Sequence, residues 1–211
     1  IGQAYASFKD IEVIQFKDQG EKAGISLLKK HFEESRYISR TTTFAFVKLS
    51  SDKSSNKNNR YVNGDFVILW GVGSESKDQS ITEAEYKGMW RMMNYLSGKK
   101  FRVVMNTKAL SADLAEALAS KTSSVVVYSS HGNERRFYDF DHDPIPTDIF
   151  KNRSSNVYQF ILSACYGSYA LRNYNVPRDL YVYSWPDLTN PEELLNFLVS
   201  DEYSALTGKR K

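Results

Sequence analysis

The chain has very little of the chemistry that builds disulfide or metal frameworks. Its 211 residues include one cysteine and three histidines. A single cysteine excludes an internal disulfide and a zinc site made of several cysteines. That cysteine is therefore either a buried, inert thiol or a reactive one, and its neighbourhood decides between the two.

Long hydrophobic runs and a strong charge of one sign are also missing. No apolar stretch approaches the roughly 18 residues that cross a bilayer, so we predict no membrane span. The net charge is only +3, and the 28 basic residues are scattered along the chain, which argues against a nucleic-acid partner. No secretion signal is recognisable. A first residue other than methionine and a composition rich in Tyr, Asn and Lys nevertheless favour an exported bacterial protein, secreted or periplasmic, with the compartment left open.

Short apolar runs that alternate with helical segments dominate the second part of the chain. Each run has the length of a buried parallel strand and contains β-branched or aromatic residues. This alternation predicts an α/β fold, a mostly parallel sheet with helices on both faces in a three-layer sandwich. The runs are Phe66–Trp70, Phe101–Met105, Ser124–Tyr128, Val157–Leu162 and Leu180–Ser184.

Helix starts are marked by capping signals between these runs. Ser80–Glu83 has the S-x-x-E form of a capping box and predicts a helix that extends to about Leu96. Ser111 begins a second helix, which is rich in alanine and leucine. Asn190–Glu193 places a cap residue first, then proline, then an acidic residue at the third helical position.

The N-terminal 60 residues are predicted to extend a core that covers residues 61–211, so that residues 1–211 form one domain. This extension contains a strand, a helix and a second strand, followed by a polar segment that is interpreted as a mobile loop. It is either an extra edge of the sheet or the remnant of a pro-segment. The ranges are 11–16, 21–32, 42–49 and 50–59.

The first apolar run is followed by a glycine-containing segment, Gly71–Ser76. Its form is G-x-G-x-x-S, which lacks the third glycine of a dinucleotide site and the lysine of a P-loop. We interpret it as the rim of an active site, and a nucleotide-binding α/β domain is the alternative.

The third and fourth runs are followed by a histidine and by the cysteine. Ligands bind outside the carboxyl ends of the strands in parallel sheets, and neighbouring strands lie about 4.8 Å apart. His131 and Cys165 can therefore meet there, although each residue alone has an ordinary structural explanation. A thiol beside a base is a nucleophile, and the N–H groups of Gly132 and Cys165 can bind an oxyanion. The sequence predicts a catalytic Cys-His dyad.

The two motifs, His131-Gly132 and Ala164-Cys165, each after an apolar strand, resemble those of clan CD cysteine peptidases. That clan includes caspases, legumains, gingipains, clostripain and separase, and the resemblance covers residues 61–199. It implies a caspase–hemoglobinase fold and a cysteine endopeptidase that works through a thioester acyl-enzyme, with no cofactor, no metal and no required third catalytic residue. The implied partner is a peptide or protein substrate. A non-catalytic binding module of the same fold is the alternative.

The departures from the caspase pattern point to another branch of that clan. Caspases carry Q-A-C-[RQG]-G with the histidine about 50 residues upstream. This chain has Ser163 and Tyr166 at the first and fourth positions, and its histidine precedes the cysteine by 34 residues. The chain thus resembles bacterial gingipain-like or clostripain-like members, which favour Arg or Lys before the cleaved bond.

The resemblance also locates the pocket for that residue beside the nucleophile, on the next strand and loop. The residues that it implies are Ser163, Ser184, Trp185 and Asp187. Asp187 could pair with a basic side chain, or could be a turn residue before the last helix. Trp185 could wall the cleft or belong to the core.

Two further segments carry predictions of their own. Asp141, His142 and Asp143 look like metal ligands, with calcium as the alternative to a stiff turn made by Pro144 and Pro146. The polar segment 50–60, which contains Lys53, Lys57 and Arg60, is the candidate for self-cleavage, since many relatives are activated in an exposed loop.

Overall fold

Seven strands of the described chain form one sheet. A computed structural model describes residues 11–17, 19–36, 43–49, 61–72 and 81–203. The strands are β1 (Ile11–Phe16), β2 (Thr43–Lys48), β3 (Asp65–Gly71), β4 (Arg102–Asn106), β5 (Ser123–Ser130), β6 (Gln159–Ser163) and β7 (Tyr181–Ser184). The helices are α1 (Glu21–Arg36), α2 (Glu83–Gly98), α3 (Ser111–Ala119), α4 (Gly167–Ala170) and α5 (Pro191–Leu198), and a 3-10 turn at Leu171–Asn173 follows α4.

The sheet has the order β1-β2-β4-β3-β5-β6-β7 and is mostly parallel. The five strands from β3 to β7 run in one direction, which confirms the α/β prediction. β2 pairs antiparallel with β4, and β1 pairs parallel with β2. The N-terminal strands therefore extend the edge of the core sheet, and their carboxyl ends lie at the sheet end opposite to that of β3–β7.

Alternate strand residues enter two hydrophobic clusters. Phe66 and Ile68 of β3 belong to the first cluster, together with residues of α1, α2 and α5. Val67 and Leu69 belong to the second, together with residues of α3 and of the loop after β5. Every residue of β3 is buried, which explains why this strand is a continuous apolar run instead of an alternating pattern.

The start of α2 differs from the prediction. The helix begins at Glu83, and Thr82 is its cap: the Glu85 amide donates to Thr82 Oγ1 at 3.1 Å, and the Thr82 amide donates to Glu85 Oε2 at 2.7 Å. The capping box predicted at Ser80–Glu83 is therefore wrong, because the same pattern two residues later closes both hydrogen bonds. The predicted start of α5 is confirmed, since Asn190 Oδ1 accepts from the Glu193 amide at 2.9 Å.

Two further predictions concern membrane spans and self-cleavage. Within the described ranges, none of the helices has both the length and the hydrophobicity needed to cross a bilayer. The self-cleavage segment 50–60 lies outside the described residues, so that prediction stays a prediction.

Candidate active site

His131 and Cys165 follow neighbouring strands at equivalent positions. β5 and β6 pair in parallel, and their last registered pair is Ser129 with Ser163. His131 and Cys165 each follow two residues beyond that pair. Since both strands run in the same direction, the two residues emerge side by side at the carboxyl edge of the sheet.

His131 and Gly132 begin a short hairpin over the end of β5. The Tyr138 amide donates to the His131 carbonyl at 3.0 Å, and the Asn133 amide donates to the Arg136 carbonyl at 2.9 Å. Gly132 therefore faces Phe137 as a non-hydrogen-bonded antiparallel pair. In such a pair the N–H of Gly132 points away from the partner strand.

Gly132 lies directly against the nucleophile segment. A Cβ atom added to it would lie 2.9 Å from both the Ala164 Cβ and the Cys165 carbonyl oxygen. The sequence suggested a glycine here so that a substrate carbonyl could approach. The structure adds a second reason, which is that the two motifs pack backbone to backbone and leave no space for a side chain.

Two amide groups at this point have no acceptor. Among the described residues, no acceptor pairs with the N–H of Gly132 or with that of Cys165. Unpaired donors beside a nucleophile are what an oxyanion hole requires, because they are fixed in place before charge develops.

Cys165 is half-buried on a tight turn that the following loop holds in place. Its Sγ lies 3.7 Å from the Thr189 carbonyl. The Tyr166 amide donates to the Asp187 carbonyl at 3.0 Å, and the Ser168 amide donates to the Trp185 carbonyl at 3.1 Å. Tyr166 has φ 56°, a left-handed conformation that costs a non-glycine residue roughly 1–2 kcal/mol.

The four residues implied for substrate binding all lie at the ends of β6 and β7, but in different surroundings. Asp187 is exposed, and within the described ranges its carboxylate has no ion-pair partner. Ser184 lies beside the nucleophile turn, with its Cβ 3.5 Å from the Cβ position of Gly167. Trp185 is half-buried and packs edge-on against Tyr183 and Phe197, so much of its ring serves the core.

Ser163 is 2% exposed, and its hydroxyl has no hydrogen-bond partner in the described part of the chain. A substrate cannot reach this side chain as it is placed.

Sequence reasoning missed the contact between His142 and His131. Its ring stacks on that of His131, with centroids 5.4 Å apart and planes inclined by 14°. His142 has φ 65°, and its amide donates to the Asp139 carbonyl at 3.0 Å. The only sequence signal for this contact was the presence of His142 in the segment Asp141–Asp143, which resembles a set of metal ligands.

The turn that carries His142 is organised by a buried carboxylate. Asp139 is 3% exposed and accepts hydrogen bonds from the amides of Asp141 and Asp143, each at 3.0 Å, and from that of Ser111 at 3.1 Å. Within the described ranges, no group of three or more His, Cys, Asp or Glu side chains is placed to hold a metal ion. The acidic segment forms a turn around the Asp139 carboxylate.

Gly71, the first residue of the candidate nucleotide loop, has a packing role. A Cβ there would lie 2.6 Å from the hydroxyl of Tyr128, which donates to the Ala109 carbonyl at 3.3 Å. Residues 73–76 of that loop lie outside the described chain. The described part of the segment therefore gives nucleotide binding no support.

Two cavities lie near the ends of the sheet. One of about 500 Å³ lies beyond the hairpin that carries His131 and includes Arg135 and Arg136 in its wall. The other, of about 540 Å³, lies at the opposite edge of the sheet, where Asp65 and Arg102 form part of its wall. Only the first adjoins an element that carries the dyad.

No protein-family model matches this chain, and no curated protein matches it significantly. The resemblance to clan CD peptidases therefore rests on the two motifs and on their order in the sequence.

Proposed function

We propose that the chain is a clan CD cysteine endopeptidase in which Cys165 is the nucleophile and His131 is the acid–base partner. The observation that carries the proposal is the common offset of His131 and Cys165 beyond the last registered pair of β5 and β6. Position at the carboxyl ends of adjacent parallel strands is where this fold class places its chemistry.

The reaction follows from the groups at this edge. The Cys165 sulfur attacks the carbonyl carbon of the peptide, and the thiol proton passes to His131. His131 then gives that proton to the leaving amine, and a thioester remains. Water, deprotonated by His131, attacks the thioester; the carboxylic acid leaves and the Cys165 thiol is restored.

The unpaired amides of Gly132 and Cys165 supply the electrostatic part of the mechanism. Negative charge develops on the substrate oxygen in both tetrahedral intermediates. Removing one such donor typically costs about 10²–10³-fold in rate. Because these donors belong to the backbone, the substitution that tests them must act through packing instead of removing a side chain.

Specificity for Arg or Lys before the cleaved bond is the finer part of the proposal. The exposed carboxylate of Asp187 supports it, since that group follows β7 next to the nucleophile turn and has no ionic partner among the described residues. The carbonyl of the same residue holds the Tyr166 amide, so the loop has a fixed position relative to Cys165.

A positional-scanning library of fluorogenic peptides tests the function. We expect cleavage by the natural chain, no cleavage by Cys165→Ala and none by His131→Ala, with unchanged thermal unfolding of both variants. Activity that survives either substitution would refute the dyad.

The binding-module alternative is tested by the thiol itself. Rapid alkylation of the folded chain by iodoacetamide near neutral pH is expected for a peptidase, because the reactive species is an accessible thiolate. Alkylation no faster than that of a buried thiol, with no cleavage of any peptide, would favour the binding module.

A further inference from the structure

The cavity beyond the His131 hairpin is bordered by that hairpin and by the turn that follows α4. Its wall contains Arg135, Arg136 and Asn173, and the segment 144–147 closes the other side. Arg136 faces Asn133 across the hairpin, and Asn133 is only two residues after His131. Asn173 lies in the turn that follows α4, the helix that begins directly after the nucleophile turn, and its side-chain amide donates to the Arg135 carbonyl at 3.0 Å.

The backbone around this cavity is held by side-chain hydrogen bonds. Asn133 Oδ1 accepts from the amides of Arg135 at 2.9 Å and Arg136 at 3.1 Å. The Tyr174 hydroxyl donates to the Ile145 carbonyl at 3.1 Å, which ties the opposite wall to the same element as Asn173. A cavity whose wall is already ordered loses little conformational entropy when a ligand binds.

The charge of the wall is positive and uncompensated. Among the residues that the structure describes, no acidic side chain lines the cavity. In the described part of the chain, neither the Arg135 nor the Arg136 guanidinium forms an ion pair. Guanidinium groups present several N–H donors in one plane and bind carboxylates with two parallel hydrogen bonds. The volume of about 500 Å³ is within the range of small-ligand sites and holds an amino-acid side chain.

The position of the cavity relative to Asp187 bears on substrate specificity. The strand order β5-β6-β7 places Cys165, after β6, between the arginine hairpin after β5 and Asp187 after β7. A substrate that crosses Cys165 therefore has the loop of Asp187 on one side and the hairpin that carries Arg135 and Arg136 on the other.

We propose that the Arg135–Arg136 cavity is a substrate subsite for an acidic side chain, Asp or Glu, on the side of the cleaved bond that lies over the His131 hairpin. This proposal rests on the proposed peptidase function. Together with Asp187 it defines a substrate class in which a basic residue at the cleaved bond is combined with an acidic residue a few positions away.

Paired peptides that differ only in Glu or Gln at one position, scanned around a central arginine, test the subsite. The natural chain should prefer Glu at one position by about tenfold in kcat/KM, as expected for charge-assisted hydrogen bonds. The double variant Arg135→Gln/Arg136→Gln should lower that preference to less than about twofold, with Arg135→Lys/Arg136→Lys intermediate. Arg178→Gln, which removes an exposed arginine outside the cavity wall, is the matched control and should keep the full preference.

A binding measurement separates this proposal from the peptidase proposal. Fluorescence anisotropy with the Cys165→Ala chain measures the affinity for the same Glu and Gln peptides without cleavage. Selective binding of the Glu peptide that depends on both arginines, together with no cleavage of any peptide by the natural chain, would keep the subsite and refute the peptidase. Equal affinity for the two peptides, or a preference that the double variant retains, would refute the subsite, whether or not peptides are cleaved.

Discussion

Gly132 has no space for a side chain, because Ala164 and the Cys165 carbonyl both lie 2.9 Å from its Cβ position. In Gly132→Ala the hairpin and the nucleophile turn must move apart. The N–H groups of residue 132 and Cys165 then no longer point at the same substrate oxygen. We expect kcat/KM to fall by about 10²-fold, the effect of losing one oxyanion donor. Peptide kinetics and thermal unfolding measure it.

Gly98→Ala is the matched control, since nothing lies within 4 Å of the Cβ position of Gly98. Its activity should equal that of the natural chain. Equal activity of Gly132→Ala would show that the contact between the motifs has no part in catalysis.

His142 offers a second test at the scale of single residues. Its ring covers one face of His131 and should restrict the rotation of that imidazole. Asparagine tolerates a positive φ but has no ring, so His142→Asn keeps the turn and removes the stacking. We expect kcat to fall by roughly tenfold with KM nearly unchanged, because a misdirected base affects the chemical step.

The separation of kcat from KM is the readout of His142→Asn that a purely structural role would not give. An unchanged kcat would mean that the stacked ring is incidental.

Site residues differ in how far the sequence could reveal them. His131 and Cys165 could be predicted because each comes three residues after the end of an apolar run, and a strand end is visible in sequence. The buried state of Ser163 and the stacking of His142 depend on which side chains meet in space. A residue close to the nucleophile in sequence can still have a buried side chain, as Ser163 does.

Among the strands, the pairing of β3 with β4 contains a buried charge pair. Arg102 Nε donates to Asp65 Oδ1 at 2.6 Å, Thr122 Oγ1 donates to Asp65 Oδ2 at 2.6 Å, and both charged side chains are 4% exposed. Arg102→Met leaves a buried carboxylate without its counter-charge, which typically costs about 3–5 kcal/mol. Urea unfolding should show this loss.

The double variant Asp65→Leu/Arg102→Met is the control for that loss. It removes both charges and should be more stable than Arg102→Met, because no unpaired ion remains in the core. A double variant as unstable as the single one would mean that lost packing, and not the lone charge, causes the destabilisation.

Strands and helix starts were predictable where a single sequence pattern determined them, and not where two patterns competed. The five apolar runs located β3 to β7 to within two residues at their starts and ends. For β3 to β6 the reason is burial on both faces, which needs a continuous apolar segment, whereas β7 is a less buried edge strand. The capping box was misplaced because Ser80–Glu83 and Thr82–Glu85 satisfy the same pattern, and only hydrogen-bond geometry chooses between them. The antiparallel direction of β2 depends on its partner β4, which is distant in sequence.

The path of the whole chain restricts how self-cleavage could occur. β2 ends at Lys48, near the amino end of β4, and β3 begins at Asp65 on that same edge of the sheet. Cys165 lies at the opposite edge, and a strand of 7 residues such as β3 is about 20 Å long. The residues that flank segment 50–60, Leu49 and Tyr61, both lie at the far edge, and its middle is only about six residues from either of them, a reach of about 20 Å when fully extended. Such a segment should not reach Cys165 of its own molecule and still enter the cleft with residues on both sides of the cut.

We therefore expect any cleavage at Lys53, Lys57 or Arg60 to occur between molecules. Intact mass spectrometry at two concentrations of the natural chain should show a cleaved fraction that grows faster in the concentrated sample. A trace of the natural chain should also cut an excess of Cys165→Ala, which alone stays intact. A rate independent of concentration would place the segment within reach of its own active site, and cleavage of Cys165→Ala alone would point to another nucleophile or to a contaminating peptidase. The basic residues at these positions fit the carboxylate of Asp187, so Asp187→Asn should slow this cleavage and the cleavage of arginine peptides by the same factor.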